Sequence, residues 1–273
     1  MESKKRKGGP KLDERRERGY TVGMKVNDVV FRYAEEIDST NRWAMAEGDA
    51  AAPHGSLFVA RRQTAGRGRL ERSWQSEGLG LYMTLLLRPE MALRDVPRAT
   101  MLAAVAICGA ARSLGLPAAI KWPNDVVVGG KKLCGILCES RARGMDAAFC
   151  VLGTGVNMTQ RAEDFPPEFR GHATSVWMET GKRYETGEFI GPYLQEIERW
   201  YDGCVAGSDD FYAAYRGMLV TLGREVRVRD SGGEWEGIAA DVREDGSLVV
   251  ISGGETRAVY AGDVSVRGKD GYV

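Results

Sequence analysis

Apolar positions along the chain fall into two regimes. Residues 1–21, with "KKRKGGPKLDERRERG", are charged almost throughout and carry too few apolar side chains to offset the entropy of ordering, so a disordered tail is expected there. From Val29 onward apolar residues recur with the periods of strands and helices. "GSLFVARRQ" ending at Gln63 and "LGLYMTLLLRP" ending at Pro89 read as strands, with the segment between them hanging from a sheet as a loop. Asp38, Ser39 and Thr40 offer capping oxygens just before "NRWAMAEGDAA", which predicts a helix entry. Asp95 to Leu114 is Ala-rich and apolar, with Asp95 and Pro97 as start signals and Gly115 and Pro117 as stop signals. A buried helix is expected there.

"AAIKW", "DVVVGGKKLCGILCES" and "AAFCVLGTGVNM" follow as strands, and Gly129-Gly130 is a two-residue hairpin signal. The sheet they build is mostly antiparallel. Gly187 to Gly203 carries Phe189, Tyr193, Leu194, Ile197, Trp200 and Tyr201 at helical spacing, and a second helix covers Asp209 to Leu219. After Gly223, five short strand candidates alternate with the turn clusters "DSGGE", "EDGS" and "SGGE". The pattern predicts an α/β (α+β) fold, a mixed, largely antiparallel sheet flanked by helices, followed by a small β-barrel. The expected divisions are a tail over 1–21, a main domain over 22–220 and the barrel over 221–273.

Composition narrows the function classes. The chain has 273 residues, 43% of them hydrophobic, and its 38 basic and 38 acidic side chains cancel, so bulk charge points to no polyanionic partner. Lys4 to Lys7 remain a local basic patch suited to a nucleic-acid contact or a targeting signal. No apolar run is long enough to span a bilayer or serve as a secretory signal, so a cytoplasmic protein is expected. The five cysteines, Cys108, Cys134, Cys138, Cys150 and Cys204, contain no C-x-x-C pair and read as small buried apolar residues rather than disulfides or zinc ligands. His54 and His172 lie in turn-like surroundings and are expected at the surface with no catalytic role.

Two stretches carry candidate chemistry. In "QTAGRGRLERSW" (Gln63 to Trp74), glycines let the backbone approach a ligand, and Arg67, Arg69 and Arg72 supply planar donor forks that match phosphate or carboxylate oxygens. Trp74 can stack a base or pack a wall, and the composition alone equally suits a solvated or single-strand-binding loop. In "KWPNDV" (Lys121 to Val126), Pro123 holds Trp122 extended and Asn124-Asp125 favour a turn, fixing Lys121 at a strand end. Taken alone, that stretch is also compatible with an ordinary turn.

In combination these stretches resemble a known family. "DSTN" (Asp38 to Asn41), "QTAGRGR" (Gln63 to Arg69), "KWPND" (Lys121 to Asp125), "KKLCGILCE" (Lys131 to Glu139) and "GTGVNM" (Gly153 to Met158) stand in the order and spacing of the biotin protein ligases. The resemblance runs from about Val29 to Arg267, and it implies that residues 22–220 are the catalytic domain and that the barrel over 221–273 is SH3-like. It implies that Ser39, Thr40, Asn41 and Gln63 meet the polar end of biotin, with backbone near Gly135 and Gly155 lining its pocket. It further implies that Arg67, Gly68 and Arg69 close over an adenylate with Arg72 nearby, that Trp74 stacks on adenine, and that Lys121 reaches the reacting carboxylate and α-phosphate. Asn124 and Asn157 are implied on the nucleotide and metal side, although no metal ligand is assigned.

The implied reaction forms biotinyl-5′-AMP from biotin and Mg-ATP, then transfers biotin to a lysine of a biotin carboxyl carrier protein such as that of acetyl-CoA carboxylase. Neither half needs an enzyme nucleophile, because positioning and well-placed cations suffice. Many family members also carry an N-terminal helix-turn-helix, which the residues before Phe31 are too few and too polar to form, so no DNA partner is expected. The resemblance fits a monomer or a homodimer. Glu71 stands where the family loop usually has a second glycine, and Cys134 and Cys138 replace simple aliphatics. Three rival readings are a lipoate or octanoate ligase or transferase on the same fold, a single-strand nucleic-acid binder, and a catalytically inactive interaction module.

Overall fold

The computed structural model describes residues 24–230, 232–261, 265–268 and 272; the expected charged tail, residues 1–21, lies outside them. Seven strands form the main sheet: β1 (Val30–Ile37), β2 (Ser56–Gln63), β3 (Gly80–Leu87), β4 (Ala119–Lys121), β5 (Asp125–Val128), β6 (Lys131–Arg143) and β7 (Asp146–Asn157). Their spatial order is β1-β2-β3-β7-β6-β5-β4. All pairs are antiparallel except β1 with β2, which run parallel and are joined by helix α1 (Thr40–Asp49). The glycine pair between β5 and β6 has φ of +55° and +76°, the double left-handed geometry of a two-residue hairpin.

Period-2 alternation divides the sheet's two faces. Leu81, Met83 and Leu85 of β3 and Leu152 and Val156 of β7 join the main core. That core includes the predicted Ala-rich helix α2 (Pro97–Ser113), whose residues from Met101 to Cys108 are all buried. Among the described residues the further α-helices are α3 (Val176–Thr180), α4 (Thr186–Ala206) and α5 (Asp209–Met218). A methyl at Gly109 of α2 would stand 2.7 Å from Glu196 Cδ of α4, so the missing Cβ permits that close crossing. On the opposite face Ala44 of α1 packs with Phe58, Leu86, Phe149 and Val151. This helix contacts β2, β3 and β7, and the glycine-bearing part of β6 and β7 faces a cavity instead.

The five expected C-terminal strands are present: β8 (Glu225–Asp230), β9 (Gly233–Val242), β10 (Leu248–Ser252), β11 (Glu255–Val259) and β12 (Ser265–Gly268). They form an antiparallel sheet in the order β11-β10-β9-β8-β12; among the described residues its two end strands do not pair to close a barrel. Val226, Val228, Leu248 and Val250 belong to the same core cluster as α2. Trp122, 1% exposed, locks the junction by donating from its backbone N–H to Thr221 Oγ1 (2.9 Å) and from Nε1 to Gly246 O (2.9 Å).

Of the five cysteines, Cys108, Cys134, Cys150 and Cys204 are buried and Cys138 is half-buried, all as free thiols. Burial pushes the Cys108 thiol up to about 12, which suits packing rather than nucleophilic work. His54 departs from its expected surface position. Its Nδ1 accepts the Arg88 backbone N–H (3.0 Å), its ring meets Tyr201 edge-on, and burial, reinforced by Arg88, lowers its pKa to about 4.

Candidate active site

Strand register builds the floor of the site. Tyr82, Gly155, Gly135, Asp125 and Lys121 are successive partners across β3, β7, β6, β5 and β4, so they form one transverse row on one face. Two residues along, Thr84 pairs with Gly153 and Gly153 with Leu137. The glycines leave a trough in the middle of the row. Trp74 lies in it: a Cβ at Gly135 would stand 2.8 Å from the indole, and one at Gly155 would clash with it as well. The indole Nε1 is buried and has no hydrogen-bond partner among the described residues.

At the trough's inner end stands the start of α1. Ser39 is the N-cap residue, but its side chain makes no capping bond. Gln63 at the end of β2 takes over, its Oε1 accepting from Thr40 N (2.8 Å) and Thr40 Oγ1 (3.1 Å) while its Nε2 donates to Ser76 Oγ (2.8 Å). Thr84 Oγ1 lies 2.8 Å from both Thr40 Oγ1 and Asn41 Oδ1. Asn41 Nδ2 donates to Leu137 O (3.1 Å) and Glu139 Oε2 (2.9 Å), and Glu139 in turn accepts from Arg67 Nη1 at 3.0 and 3.2 Å. One polar chain therefore runs from Ser76 to Arg67, tying the glycine-arginine loop to the sheet.

The loop is itself a hairpin. Gly68 N donates to Arg72 O (2.7 Å), Trp74 N to Gly66 O (2.9 Å), and Arg72 N to Arg69 O (3.2 Å). Leu70 and Glu71 at its tip have φ of +55° and +57°, a conformation that favours glycine. Arg69 reaches away from the tip: Nη1 donates to Asn124 Oδ1 (3.1 Å) and Nη2 to Ala261 O of the C-terminal sheet region.

At the other end of the row, cations gather around one carboxylate. Lys132 Nζ stands 2.6 Å from Asp125 Oδ1 and 5.2 Å from the centroid of the Trp74 ring. Burial alone would push the Asp125 carboxyl up; Lys132, Lys121 and the bonds from Lys132 and Tyr272 outweigh it and hold the group below the usual range. Lys121 is 6% exposed. A cleft of about 800 Å³ with cationic groups at one end and a flat glycine trough at the other can hold an amphiphilic acid joined to a phosphate-bearing group.

Comparison with known proteins places the chain in a family. Residues 33–157 match the Biotin/lipoate A/B protein ligase family, and residues 221–267 match the Biotin protein ligase C terminal domain. A biotin--[acetyl-CoA-carboxylase] ligase of Mycobacterium tuberculosis is 32% identical over 266 residues, covering 93% of this chain and 96% of that protein. The chain belongs to the biotin protein ligase family. It is 34% identical over 237 residues to the bifunctional ligase/repressor BirA of Bacillus spizizenii, a match covering 86% of this chain and 73% of that protein. The Aquifex aeolicus biotin protein ligase solved with biotin and ATP superposes with a TM-score of 0.74 at 27% identity, covering 88% of this chain and 99% of that one.

In this biotin protein ligase every residue that the sequence assigned to biotin or nucleotide lines the same cavity. Ser39, Thr40, Asn41 and Gln63 stand at the α1 end, and Arg67, Gly68, Arg69 and Arg72 along the loop wall. Gly135 and Gly155 form the floor under Trp74, while Lys121, Asn124 and Asn157 stand on the far side. The two asparagines spend their amide N–H groups on backbone carbonyls, Asn124 on Ile136 O (2.7 Å) and Asn157 on Thr174 O (2.9 Å). Sequence reasoning missed Lys132, although it lies inside the quoted "KKLCGILCE". A register shift opposite Val126 and Val127 passes over Leu133 and brings Lys132 beside Gly135, against strict alternation. His172 is exposed as expected, yet it lines the cavity mouth rather than a remote turn.

Among the described residues no group of three or more His, Cys, Asp or Glu is arranged to hold a metal ion. No described helix is long and apolar enough to cross a membrane.

Proposed function

We propose that this ligase joins biotin to ATP in the cleft, forming biotinyl-5′-AMP, and then passes biotin to a lysine of a biotin carboxyl carrier protein, such as that of acetyl-CoA carboxylase. The observation that carries the reading is the single row from the glycine trough to Lys121, which sets a flat apolar-floored slot beside a cluster of cations. The bicyclic ring of biotin lies in the trough over Gly135 and Gly155, with its polar end at Ser39, Thr40, Asn41 and Gln63. Its carboxylate points along the row toward Lys121 and Lys132.

In the first half-reaction a carboxylate oxygen attacks the α-phosphorus, the bond from that phosphorus to the bridging oxygen breaks, and pyrophosphate leaves. Lys121, Lys132, Arg67 and Arg69 stabilise the charge that gathers on the phosphoryl oxygens. Magnesium is read as entering with the nucleotide's phosphates. Arg67 is shared with Glu139 before substrate arrives, so binding of the anion draws it partly off that carboxylate. Trp74 leaves the trough for the biotin ring and becomes available to stack on adenine, with Arg72, Asn124 and Asn157 on the nucleotide side. In the second half-reaction the acceptor's uncharged ε-amine attacks the acyl carbon, the bond to the AMP oxygen breaks, and an amide, AMP and a proton result.

The domain division that accompanies this reading places the substrate-contacting residues named above within residues 22–220 and a unit that supports the cleft within 221–273. The deciding experiment is pyrophosphate–ATP exchange with biotin, lipoate and octanoate supplied in parallel, followed by transfer to a carrier domain. Exchange dependent on biotin supports the reading. Exchange with lipoate or octanoate alone replaces the substrate, and silence with all three rejects adenylation.

A further inference from the structure

Among the described residues of the C-terminal region, Tyr272 enters the cleft. Tyr272 Oη donates to Asp125 Oδ2, its ring centroid lies 4.5 Å from Lys121 Nζ, and it stacks on His172 with centroids 6.1 Å apart and 26° between planes. The same carboxylate is bound through its other oxygen by Lys132 Nζ at 2.6 Å. Asp125 is thus clamped from both sides, by Lys132 on one oxygen and Tyr272 on the other. The clamp matters because Lys121 and Asp125 are direct partners across β4 and β5. A carboxylate free to rotate between the two lysines could cancel either charge; one held by the phenol stays on Lys132. The cluster then presents two ammonium groups against one carboxylate, a net positive charge suited to an entering phosphate. The Tyr272 ring meanwhile offers its negative face to Lys121, fixing that ammonium without neutralising it.

We infer that Tyr272 is a positioning residue for adenylate formation, its hydroxyl fixing Asp125 on Lys132 and its ring fixing Lys121, so that the C-terminal region completes the phosphate end of the cleft. This rests on the adenylation reading above. Through Asp125 the hydroxyl acts on the rate; through Lys121 the ring acts on nucleotide affinity. The two contributions separate in two variants, Tyr272→Phe and Tyr272→Ala, each compared with the parent protein by pyrophosphate–ATP exchange and by calorimetric titration with ATP in the presence of biotin.

Tyr272→Phe keeps the ring and loses the bond to a charged acceptor, so kcat for exchange falls about tenfold while ATP affinity stays close to that of the parent. Tyr272→Ala shows the same fall in kcat and in addition binds ATP about fivefold more weakly, an affinity that phenylalanine restores. In an Asp125→Asn background the hydroxyl has no carboxylate to hold, and adding Tyr272→Phe changes kcat no further. Unchanged kcat and affinity in both variants would overturn the inference. So would tighter ATP binding by Tyr272→Ala, which would make the phenol an occupant that nucleotide must displace. If the parent protein shows no biotin-dependent exchange, the ligase reading fails, while the comparison of ATP affinities between phenylalanine and alanine still decides the part played by the ring.

Discussion

Gly153 offers the sharpest test of how the floor is held. A Cβ built there stands 2.7 Å from Asn41 Cγ and closer still to Asn41 Oδ1, where carbon atoms ordinarily rest about 3.5–4.0 Å apart. Gly153 lies in β7 between β3 and β6, hydrogen-bonded on both sides, so the backbone has no room to retreat and Asn41 must move. Moving it breaks or stretches the bonds to Leu137 O and Glu139 and the contact with Thr84, all close to the core. One bond to a charged acceptor and two neutral ones, together with overpacking, make Gly153→Ala destabilising by about 3–5 kcal/mol. Urea denaturation followed by far-ultraviolet circular dichroism measures it, with the m-value unchanged if only the native state is affected. Asn41→Ala vacates the space the methyl needs, so the double variant costs less than the sum of the singles by at least about 1.5 kcal/mol. A Gly153→Ala protein within about 0.5 kcal/mol of the parent would mean that Asn41 does not stand over Gly153 and that the polar chain from Ser76 to Arg67 is wrongly drawn.

Other consequences are equally open to measurement. His54 is neutral in the fold, its pKa lowered from 6.5 to about 4, so the unfolded chain binds the extra proton first and stability falls as pH drops from 6.5 toward 4. Its contribution is on the order of 3 kcal/mol across that window, and His54→Asn, which preserves an acceptor for Arg88 N–H, flattens the dependence in denaturation series; an unaltered pH slope would show that His54 titrates normally. Lys132→Ala lowers biotin-dependent exchange about a hundredfold, and Lys132→Arg recovers part of it, whereas equal activity in all three proteins would remove Lys132 from the mechanism. Glu71→Gly relieves one left-handed side chain at the loop tip and raises stability by about 1 kcal/mol in urea denaturation; a loss would show that Glu71 is not held in that conformation.

Much of this was legible in the sequence, for identifiable reasons. The Ala-rich α2 and the Gly129-Gly130 hairpin carry strong local signals, and the clustering of motif residues from Ser39 to Asn157 in one cleft followed from a combination that composition alone could not interpret. Strand β1 was not foreseen because none of its residues is fully buried, which leaves no clean alternation to read. Capping of α1 was expected from the Asp38-Ser39-Thr40 run, yet Gln63 supplies the acceptor from another strand. Lys132 was hidden by a bulge that reverses its face, and Tyr272 by its distance along the chain from its partners. His54 sits among turn residues but packs under Arg88 and Tyr201, contacts that only tertiary structure supplies.

The lock at Trp122 has a practical consequence for anyone who would shorten or recombine this protein. Val220 N donates to Ile120 O (2.9 Å), Leu219 bridges Ile120, and Trp122 is pegged to Thr221 and Gly246. The segment that crosses the family boundary is thus attached to the strand bearing Lys121. Cutting at residue 220, or grafting a foreign C-terminal unit there, would strip a supporting edge from β4 and expose an indole that now lies in the core. Useful joints for inserting tags or splitting the chain are to be sought at the exposed Gly144-Met145 turn, where β6 hands over to β7 far along the strands from Gly135 and Gly155.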